Sequence, residues 1–561
     1  MQLARWLPRA WSFLLALLLL GPALGSGFVL AYDMVWVPDL AMRSDFWGLG
    51  TGLPRAVPSD GVVAMLDEVV PGVILQKGVL LAALVAAGWG AAELAAELAP
   101  DSLVPRLVAV SVYQWNPFVA ERLLMGHWPV LVGYALLPWV ALAARRWREE
   151  GGVPIALLVL VPLGSLSASA GLATAVTLLA FGWARPRAMG TACLLLAGNA
   201  PWLAAGVLHA AAATTDPAGA GLFALNGTDA VPAPLAALGL GGIWNSEVVL
   251  PSTDGGLGWA WLLFLLVLCG LGLRAWWRET GPRDATAYLV CWGVGYGLAL
   301  LTWAAPGVMQ VLVAHVPGAG LVRDGARALA LCAPLVAVLA ASGAGVVARR
   351  LPATGGLAPT VAAGLVLLPV TVMPDALLGL AGRLDPAHYP RSYETVRQAV
   401  LQHGGGGDVL SLPLASYRQP SWNHGRKVLD PVGRYLAPDY VASDVLVVSG
   451  TDIGGEDPRV SQVAEDLSAD SARQRAELLA GHGIGYVVVD ATAPGPAPEV
   501  AGTLLADSGD LTVVALEDPR PRRAPASWVG VMAVAWSAYA GSLVLGLLAG
   551  MGGGWRRRRA R

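Results

Sequence analysis

Long apolar runs recur along nearly the whole chain and are separated by short polar stretches. A helix needs about 20 mostly apolar residues to cross a hydrocarbon core of about 30 Å. The pattern therefore predicts about twelve membrane-spanning helices. We expect the first run to be a retained helix rather than a cleaved signal peptide, because no small-residue cleavage site follows it cleanly. The predicted spans lie near residues 11–31, 73–92, 103–120, 126–144, 153–168, 170–184, 188–208, 257–273, 286–304, 327–347, 358–378 and 527–551.

The stretch before the last span is far more polar and is too long to be a loop. A helical pattern over 471–483, with Ser468 or Asp470 as the predicted cap, comes directly before a strand-like run. Helix followed by glycine and then strand indicates an α/β unit. Short β-branched runs typical of strands occur at DVLSLP (408–413), IGYVVVD (484–490) and LTVVAL (511–516).

These patterns predict an all-α polytopic membrane protein with an extracytoplasmic α/β domain near its C-terminus. We place the multi-span membrane domain at 1–378 and the α/β domain at 379–525. The final span and a basic cytoplasmic tail occupy 526–561.

Composition supports a membrane protein. The chain is 55% hydrophobic and only 14% charged, whereas soluble proteins carry roughly 25% charged residues. A soluble enzyme, a disordered scaffold and a fibrous protein are therefore excluded. The formal net charge of −2 gives no reason to expect a nucleic-acid partner. All four cysteines fall within apolar runs, so we expect no disulfide or metal framework.

Arginines mark one side of the predicted membrane domain. Apart from Lys77 and Lys427 the basic residues are all arginines, and together with much alanine and glycine this is typical of a GC-rich bacterium. The positive-inside rule places the arginine-rich loops and both termini in the cytoplasm. We therefore expect a multi-pass bacterial cell-membrane protein. The other side receives the loop 32–72, the turn 116–127, the loop 209–256 and the polar stretch 379–525.

Acidic residues follow the first span on that outer side. Asp33 comes directly after the span, and Asp39, Asp45 and Asp60 lie further along the loop. Trp36, Phe46 and Trp47 are typical interfacial aromatics. We therefore expect parts of this loop to lie along the membrane surface.

Two further motifs place charged groups near the outer ends of spans. In WNPFVAERLLMGHW, Pro117 interrupts an apolar helix close to Glu121, Arg122 and His127. Polar groups at this depth are costly unless they are paired or wet, so we expect a polar cavity that opens outward. In GLVRDGAR, the residues Arg323, Asp324 and Arg327 precede another span. Arg323 and Arg327 are four residues apart, which predicts one helical face that holds a lipid phosphate.

This layout resembles the GT-C glycosyltransferases. The likeness rests on an Asp directly after the first span, a dozen spans, polar motifs on the outer face and a C-terminal α/β domain. The segments WNPFVAERLLMGHW, LGGIWN and GLVRDGAR are also similar to those of actinobacterial cell-envelope membrane proteins related to arabinofuranosyl- and mannosyltransferases. The resemblance implies transfer of a sugar from a polyprenyl-phosphate donor to a cell-envelope glycan or lipid acceptor.

The resemblance also implies roles for the polar residues. Asp33 is the expected catalytic base, and Asp39 is the next candidate. GT-C enzymes often carry two adjacent acidic residues in the first loop, whereas these two are six apart, so the choice of base stays open. The groups expected to bind substrate are Glu121, Arg122, His127, Arg323 and Asp324.

The expected partners are the lipid-linked sugar donor, the acceptor and membrane lipids, with no nucleic acid. We expect no cofactor or metal, and nothing in the sequence indicates a divalent cation. Two other function classes stay open: a lipid or glycan flippase, and a non-catalytic envelope-assembly protein that keeps the fold. The spans are nearly free of charge and the polar residues gather on one face, which favours a one-sided active site over a transport path.

Overall fold

The N-terminal two thirds of the chain is a bundle of α-helices. The structure is a computed structural model that describes residues 2–50, 52–211, 219–316, 318–352, 356–448, 451–520 and 522–559. Part of the predicted loop 209–256 and the last two residues of the predicted tail thus lie outside the described residues. The helices of the bundle are α1 (Gln2–Leu20), α2 (Ser59–Asp67), α3 (Gly72–Leu98), α4 (Leu103–Gln114), α5 (Pro117–Leu124), α6 (Trp128–Glu150), α7 (Ile155–Leu163), α8 (Ala168–Gly182), α9 (Ala188–His209), α10 (Gly219–Leu222), α11 (Ala233–Leu238), α12 (Pro251–Asp254), α13 (Gly256–Glu279), α14 (Pro282–Ala304), α15 (Pro306–His315), α16 (Ala333–Arg350), α17 (Leu357–Val372) and α18 (Leu377–Ala381).

Eight helices among the described residues are long and apolar enough to cross a membrane. A ninth span results if the pair Leu357–Val372 and Pro374–Ala381, which bends by 73°, is counted as one. The eight are Trp6–Leu24, Gly72–Leu98, Trp128–Glu150, Arg185–His209, Gly256–Glu279, Pro282–Ala304, Ala333–Arg350 and Ala526–Met551.

The predicted count of twelve spans is not confirmed, because three predicted spans are shorter helices. The helices α4, α7 and α8 have 12, 9 and 15 residues. At 1.5 Å per residue they reach only about 14–23 Å, less than the hydrocarbon thickness. Helix α4 ends at Gln114, where Asn116 caps the next helix and Pro117 is its first residue. Proline suits the first turn of a helix, since its missing N–H has no partner there in any case.

The C-terminal part holds a mixed sheet with strands where the sequence predicts them. Its five strands run in the order β4–β1–β7–β9–β8, with β1 parallel to both neighbours and β9 antiparallel to both of its own. The domain boundaries stay a prediction. The strands are β1 (Asp408–Leu412), β2 (Tyr417–Arg418), β3 (Val428–Leu429), β4 (Tyr440–Val441), β5 (Leu446–Val448), β6 (Thr451–Ile453), β7 (Ile484–Asp490), β8 (Thr503–Asp507) and β9 (Leu511–Ala515).

Helices cover this sheet and then return the chain to the bundle. They are α19 (Arg391–His403), α20 (Pro431–Tyr435), α21 (Pro458–Asp466), α22 (Ala472–Gly481) and the long last helix α23 (Ala526–Arg559). Helix α22 is capped by the Ser471 hydroxyl, which accepts from the Gln474 N–H, rather than by Ser468 or Asp470. Gly483, just beyond it, has a φ of +85°, as the predicted helix–glycine–strand unit requires.

Polar contacts hold the C-terminal part against one end of the bundle, which we call the site end. The buried Arg43 donates to the carbonyl oxygens of Gly433 and Pro438, and its guanidinium lies 4.8 Å from the Tyr440 ring centroid. This contact and the ion pairs below join the first loop to the C-terminal part. The first loop therefore lies between the bundle and the C-terminal part. The ion pairs of the first loop are Asp39–Arg397, Arg55–Asp444 and Asp60–Arg434, and the further pair Arg323–Glu456 joins the segment before α16 to the C-terminal part.

Candidate functional site

Asp33 stands at the tip of a tight turn at the site end. The Met34 N–H donates to the Ala31 carbonyl (2.9 Å), so Tyr32 and Asp33 are the two central residues of the turn. Tyr32 has a φ of +45°, a conformation that turns usually assign to glycine. Strain of this kind persists only where the surroundings hold it, and it clusters at functional sites.

The surroundings hold this turn from three sides. The Tyr32 N–H donates to the Lys427 carbonyl and the Tyr32 carbonyl accepts from Leu429, both at 2.8 Å. The Asp33 N–H donates to the Met125 carbonyl (3.2 Å). Next to it, Gly126 has a φ of +75°, and a Cβ there would lie 2.3 Å from the Ala31 carbonyl oxygen. The bundle and the strand β3 therefore fix the backbone of Asp33 together.

Each carboxylate oxygen of Asp33 accepts one side-chain hydrogen bond. Oδ2 lies 3.1 Å from His127 Nε2, and Oδ1 lies 2.5 Å from the Tyr417 hydroxyl. The side chain is still 38% exposed, so one face of the carboxylate is open. Since a carboxylate has about four lone-pair positions, two stay free for a substrate.

The neighbours of His127 decide its tautomer. Arg122 Nη1 lies 3.3 Å from Nδ1 and Arg327 Nη2 lies 3.3 Å from Nε2, and because arginine can only donate, the two contacts need opposite tautomers. A proton on Nε2 satisfies both Arg122 and the Asp33 carboxylate at 3.1 Å, whereas a proton on Nδ1 satisfies Arg327 alone. We therefore assign the proton to Nε2, which donates it to Asp33. Neutral His127 thus orients the Asp33 carboxylate.

The electrostatics agree with this assignment. Burial and then the charge of Arg327 lower the pKa of His127 to about 4, so the ring is neutral at pH 7. Burial alone would raise the pKa of Asp33. The hydrogen bond from His127, and its charge at the acidic pH where Asp33 titrates, outweigh burial together with the hydrogen bond from Tyr417 and the charge of Arg327, and they hold that pKa below its usual value. At neutral pH the site therefore presents an ionised carboxylate.

A buried ion cluster stands behind His127. Asp324 Oδ2 accepts from Arg327 Nε (2.8 Å) and lies 3.4 Å from Arg122 Nη1. With His127 neutral, Arg122 and Arg327 balance the charges of Asp324 and Asp33. Arg122 is fully buried, whereas the Arg327 side chain is 34% exposed. Arg327 is therefore the guanidinium of this cluster that a ligand can reach.

The other two predicted substrate-binding residues, Glu121 and Arg323, bond to groups outside the Asp33 turn. Glu121 is buried, and its carboxylate accepts from the Gly242 N–H (3.3 Å), so it holds the loop that contains LGGIWN. Burial raises the pKa of Glu121 to about 8. Arg323 pairs with Glu456 and lies 4.5 Å from the Phe223 ring centroid, away from Asp33. The substrate-binding roles of both residues stay predictions.

The separation of Arg323 from Arg327 follows from a break in the helix between them. The structure has a 3₁₀ helix at Gly325–Leu331, which contains Arg327. Arg323 lies before it, at the end of the 3₁₀ helix Ala319–Val322, and Asp324 between the two helices has a non-helical ψ of 80°. The two guanidiniums therefore do not share the predicted face.

The other acidic residues of the first loop are not at this site. The Asp39 carboxylate is exposed and pairs with Arg397 of α19, so its catalytic role stays a prediction. The Asp45 N–H lies 3.4 Å from an Asp439 carboxylate oxygen. Burial, and then the charge of Asp439, raise the pKa of Asp45 to about 7. Within the described residues, no three His, Cys, Asp or Glu side chains gather as metal ligands would.

Sequence reasoning missed the groups that come from the C-terminal part. Tyr417 reaches Asp33 from 384 positions away along the chain. Lys427 Nζ donates to both Glu247 oxygens (2.7 and 3.0 Å), and Glu247 also accepts from the Tyr32 hydroxyl. No local pattern links these residues to Asp33, because only the packing of the sheet on the bundle brings them together.

Solved structures share this fold. One is the arabinofuranosyltransferase AftD from Mycobacteria, with a TM-score of 0.53 and 15% identity, covering 92% of this chain and 40% of that one. A variant of the same enzyme matches with a TM-score of 0.51 and 13% identity, covering 92% and 42%. This chain thus spans about two fifths of the length of that enzyme. The resemblance expected from the sequence is confirmed for the fold. No protein-family model and no curated protein matches the sequence.

Proposed function

We propose that the chain is a membrane glycosyltransferase that moves a sugar from a polyprenyl-phosphate donor to a cell-envelope glycan or lipid acceptor. The observation that carries the proposal is Asp33: an ionised, partly open carboxylate, held by two donors and lying beside an accessible arginine. The fold shared with an arabinofuranosyltransferase supports a glycosyl-transfer chemistry at this site.

In this proposal Asp33 is the general base. The acceptor hydroxyl attacks the anomeric carbon, and a new carbon–oxygen bond forms there as the bond to the phosphate oxygen breaks. The hydroxyl proton moves to Asp33, and the bond electrons leave with the lipid phosphate. A single displacement of this kind inverts the anomeric configuration, through a transition state with oxocarbenium character.

The leaving lipid phosphate needs positive charge rather than a proton donor. Arg327 is the accessible guanidinium beside Asp33, and guanidinium binds phosphate through paired hydrogen bonds. Buried Arg122 supports the site from behind through His127 and Asp324. Arg323 is a second candidate for the phosphate if its pairing with Glu456 opens.

We further propose that the site end faces the outside of a bacterial membrane and that both termini are cytoplasmic. The short loops predicted to be cytoplasmic carry clusters of arginines, and on α6 the cluster Arg145, Arg146 and Arg148 lies at the end opposite His127, which contacts Asp33. The positive-inside rule then sets the orientation.

Transfer by the purified protein tests the proposal. Full-length protein in lipid nanodiscs is incubated with a radiolabelled polyprenyl-phosphate pentose and a cell-envelope glycan acceptor. We expect label in the acceptor, with the anomeric configuration inverted. Failure to transfer from a panel of pentose and hexose donors, together with movement of the donor across liposomes, would favour a flippase. Neither transfer nor movement would favour a non-catalytic assembly protein.

A further inference from the structure

The C-terminal part reaches the site through one hydroxyl group. Tyr417 lies on the short strand β2 and is only half-buried, yet its O–H donates to Asp33 Oδ1 at 2.5 Å. Its ring also packs edge-on against Tyr32, with the ring centroids 5.8 Å apart. Tyr417 therefore contacts both central residues of the turn that presents the carboxylate.

The backbone around Tyr417 is fixed on both sides. The Ser416 hydroxyl contacts the Ser443 and Val445 carbonyls, and the buried Arg418 donates to Ser411 and pairs with Asp430. The strand pairing sets Tyr417 opposite Leu429, whose N–H donates to the Tyr32 carbonyl. The pairing of β2 with β3, and of Leu429 with Tyr32, thus fixes the position of Tyr417 relative to the Asp33 turn. The Tyr417 hydroxyl is therefore held near the Asp33 carboxylate.

Tyr417 can only donate in this setting. Burial and the charge of Asp33 raise the pKa of its phenol well above the ordinary value, so the group keeps its proton. The groups that face Asp33 are His127, Arg327 and Tyr417. Arg122 and Asp324 lie behind His127, and Glu247 and Lys427 lie behind Tyr32. The charge of Arg55 acts on the Tyr417 phenol. Tyr417 and His127 are the side chains among these that hydrogen-bond directly to the carboxylate.

We propose that Tyr417 is a positioning residue: the C-terminal part completes the catalytic site by holding Asp33 Oδ1, so that the free lone pairs of the carboxylate point toward the acceptor. This inference rests on the proposed function, in which Asp33 is the base. In this inference the C-terminal part, which carries the sheet, contributes a side chain to the reacting site as well as packing over it.

The test is Tyr417→Phe, which removes the hydroxyl and keeps the ring against Tyr32. Loss of a hydrogen bond to the charged form raises a carboxyl pKa by about one unit. The transfer rate should fall at acidic pH as Asp33 takes up a proton, and we call this part of the pH profile the acid limb. We expect the acid limb to move up by about one pH unit, with the KM for the donor unchanged. Tyr486→Phe is the matched control, because its hydroxyl donates to the Gly405 carbonyl, away from Asp33. That control should leave the acid limb in place.

A second variant predicts a shift of the opposite sign. A fluorinated tyrosine at position 417 has a more acidic hydroxyl and is a stronger donor, so the acid limb should move down. If Tyr417→Phe lowers the rate equally at all pH values without moving the limb, Tyr417 is merely structural and the inference is overturned. The same conclusion follows if the fluorinated protein shifts in the same direction as Tyr417→Phe.

A readout without substrate separates this inference from the proposed function. The full-length protein is treated with a water-soluble carbodiimide across pH, and the modification of Asp33 is followed by mass spectrometry. We expect its midpoint to rise by about one unit in Tyr417→Phe and to stay unchanged in Tyr486→Phe. An unchanged midpoint in Tyr417→Phe overturns the inference even if transfer is observed. A shifted midpoint supports the contact even if the wild-type protein transfers no sugar.

Discussion

Replacing Arg327 by glutamine should weaken binding of the lipid-linked donor. The full Coulomb attraction between a guanidinium and a phosphate about 4 Å apart is about 4 kcal/mol at an effective dielectric constant of 20. Two features of the structure reduce it. The Arg327 side chain is 34% exposed, so solvent screens its charge, and its Nε already bonds to Asp324 at 2.8 Å. A charged hydrogen bond worth roughly 1.5–3 kcal/mol remains.

That free energy corresponds to about 10–150-fold in affinity. The assay is equilibrium binding of a labelled polyprenyl-phosphate sugar to protein in nanodiscs, in an Asp33→Asn background so that no turnover occurs. Arg323→Gln is the matched comparison, since Arg323 is bound to Glu456. We expect it to change affinity less than threefold.

A phosphate-free polyprenol identifies what Arg327 recognises. Its affinity should be the same for the wild-type protein and Arg327→Gln, because it lacks the anion. Equal loss for both ligands would show that the substitution damages the lipid groove and not a phosphate contact. If Arg323→Gln carried the large loss and Arg327→Gln did not, the assignment of the phosphate to Arg327, drawn from its exposure beside His127, would be refuted.

Three further predictions concern stability and orientation. The pKa of His127 is about 4 in the folded protein and about 6.5 when unfolded, so acidification from pH 6.5 to 4 should cost roughly 3 kcal/mol of stability. Thermal unfolding of His127→Gln should show a smaller loss of stability over this pH range, and a pH dependence equal to that of the wild-type protein would contradict this. Asp45 keeps its proton to about pH 7 when folded and releases it near pH 4 when unfolded, so stability falls as pH rises between these values. Asp45→Asn should therefore raise the unfolding temperature by a few degrees at pH 8 and little at pH 4.5, and equal effects at both would refute the pairing with Asp439. In a cysteine-free background, an impermeant maleimide added to whole cells should label Gly406→Cys, where a side chain meets open space, and not Gly152→Cys; the reverse pattern would invert the orientation.

The hydrophobic pattern predicts the long helices well because burial in lipid or in the bundle demands many consecutive apolar residues. It predicts the shorter helices poorly, since α7 and α8 are as apolar as the long helices, but α7 ends before Gly164 and α8 begins only after Ser167. Hydropathy depends on the residue composition of a segment and does not mark the residue at which a helix ends. The strands β1, β7 and β9 were predictable because β-branched runs between glycines have few other stable conformations.

The candidate site was predictable where chemistry follows from position along the chain. The sequence places Asp33 after the first apolar run and His127 directly before another, so both were expected on one face; in the structure the first span ends earlier, at Leu24, and Asp33 still contacts His127. The separation of Arg327 from Arg323 was not predictable, because the non-helical break at Asp324 between two short 3₁₀ helices depends on packing. No local pattern marks Tyr417, since its contact with Asp33 joins residues 384 positions apart along the chain.

The central claim is that Asp33 is the base for sugar transfer. The most direct measurement compares the single-turnover transfer rate of the wild-type protein with those of Asp33→Asn and Asp39→Asn, at saturating labelled donor in nanodiscs. Asparagine keeps the size of the side chain but cannot take the proton, so the Asp33→Asn rate should fall by about 10²–10⁴-fold with donor affinity retained. Asp39→Asn, which removes only the exposed pair with Arg397, should stay within about threefold of wild type. An Asp33→Asn protein that transfers sugar at a rate within tenfold of wild type, or a larger loss in Asp39→Asn, would contradict the account.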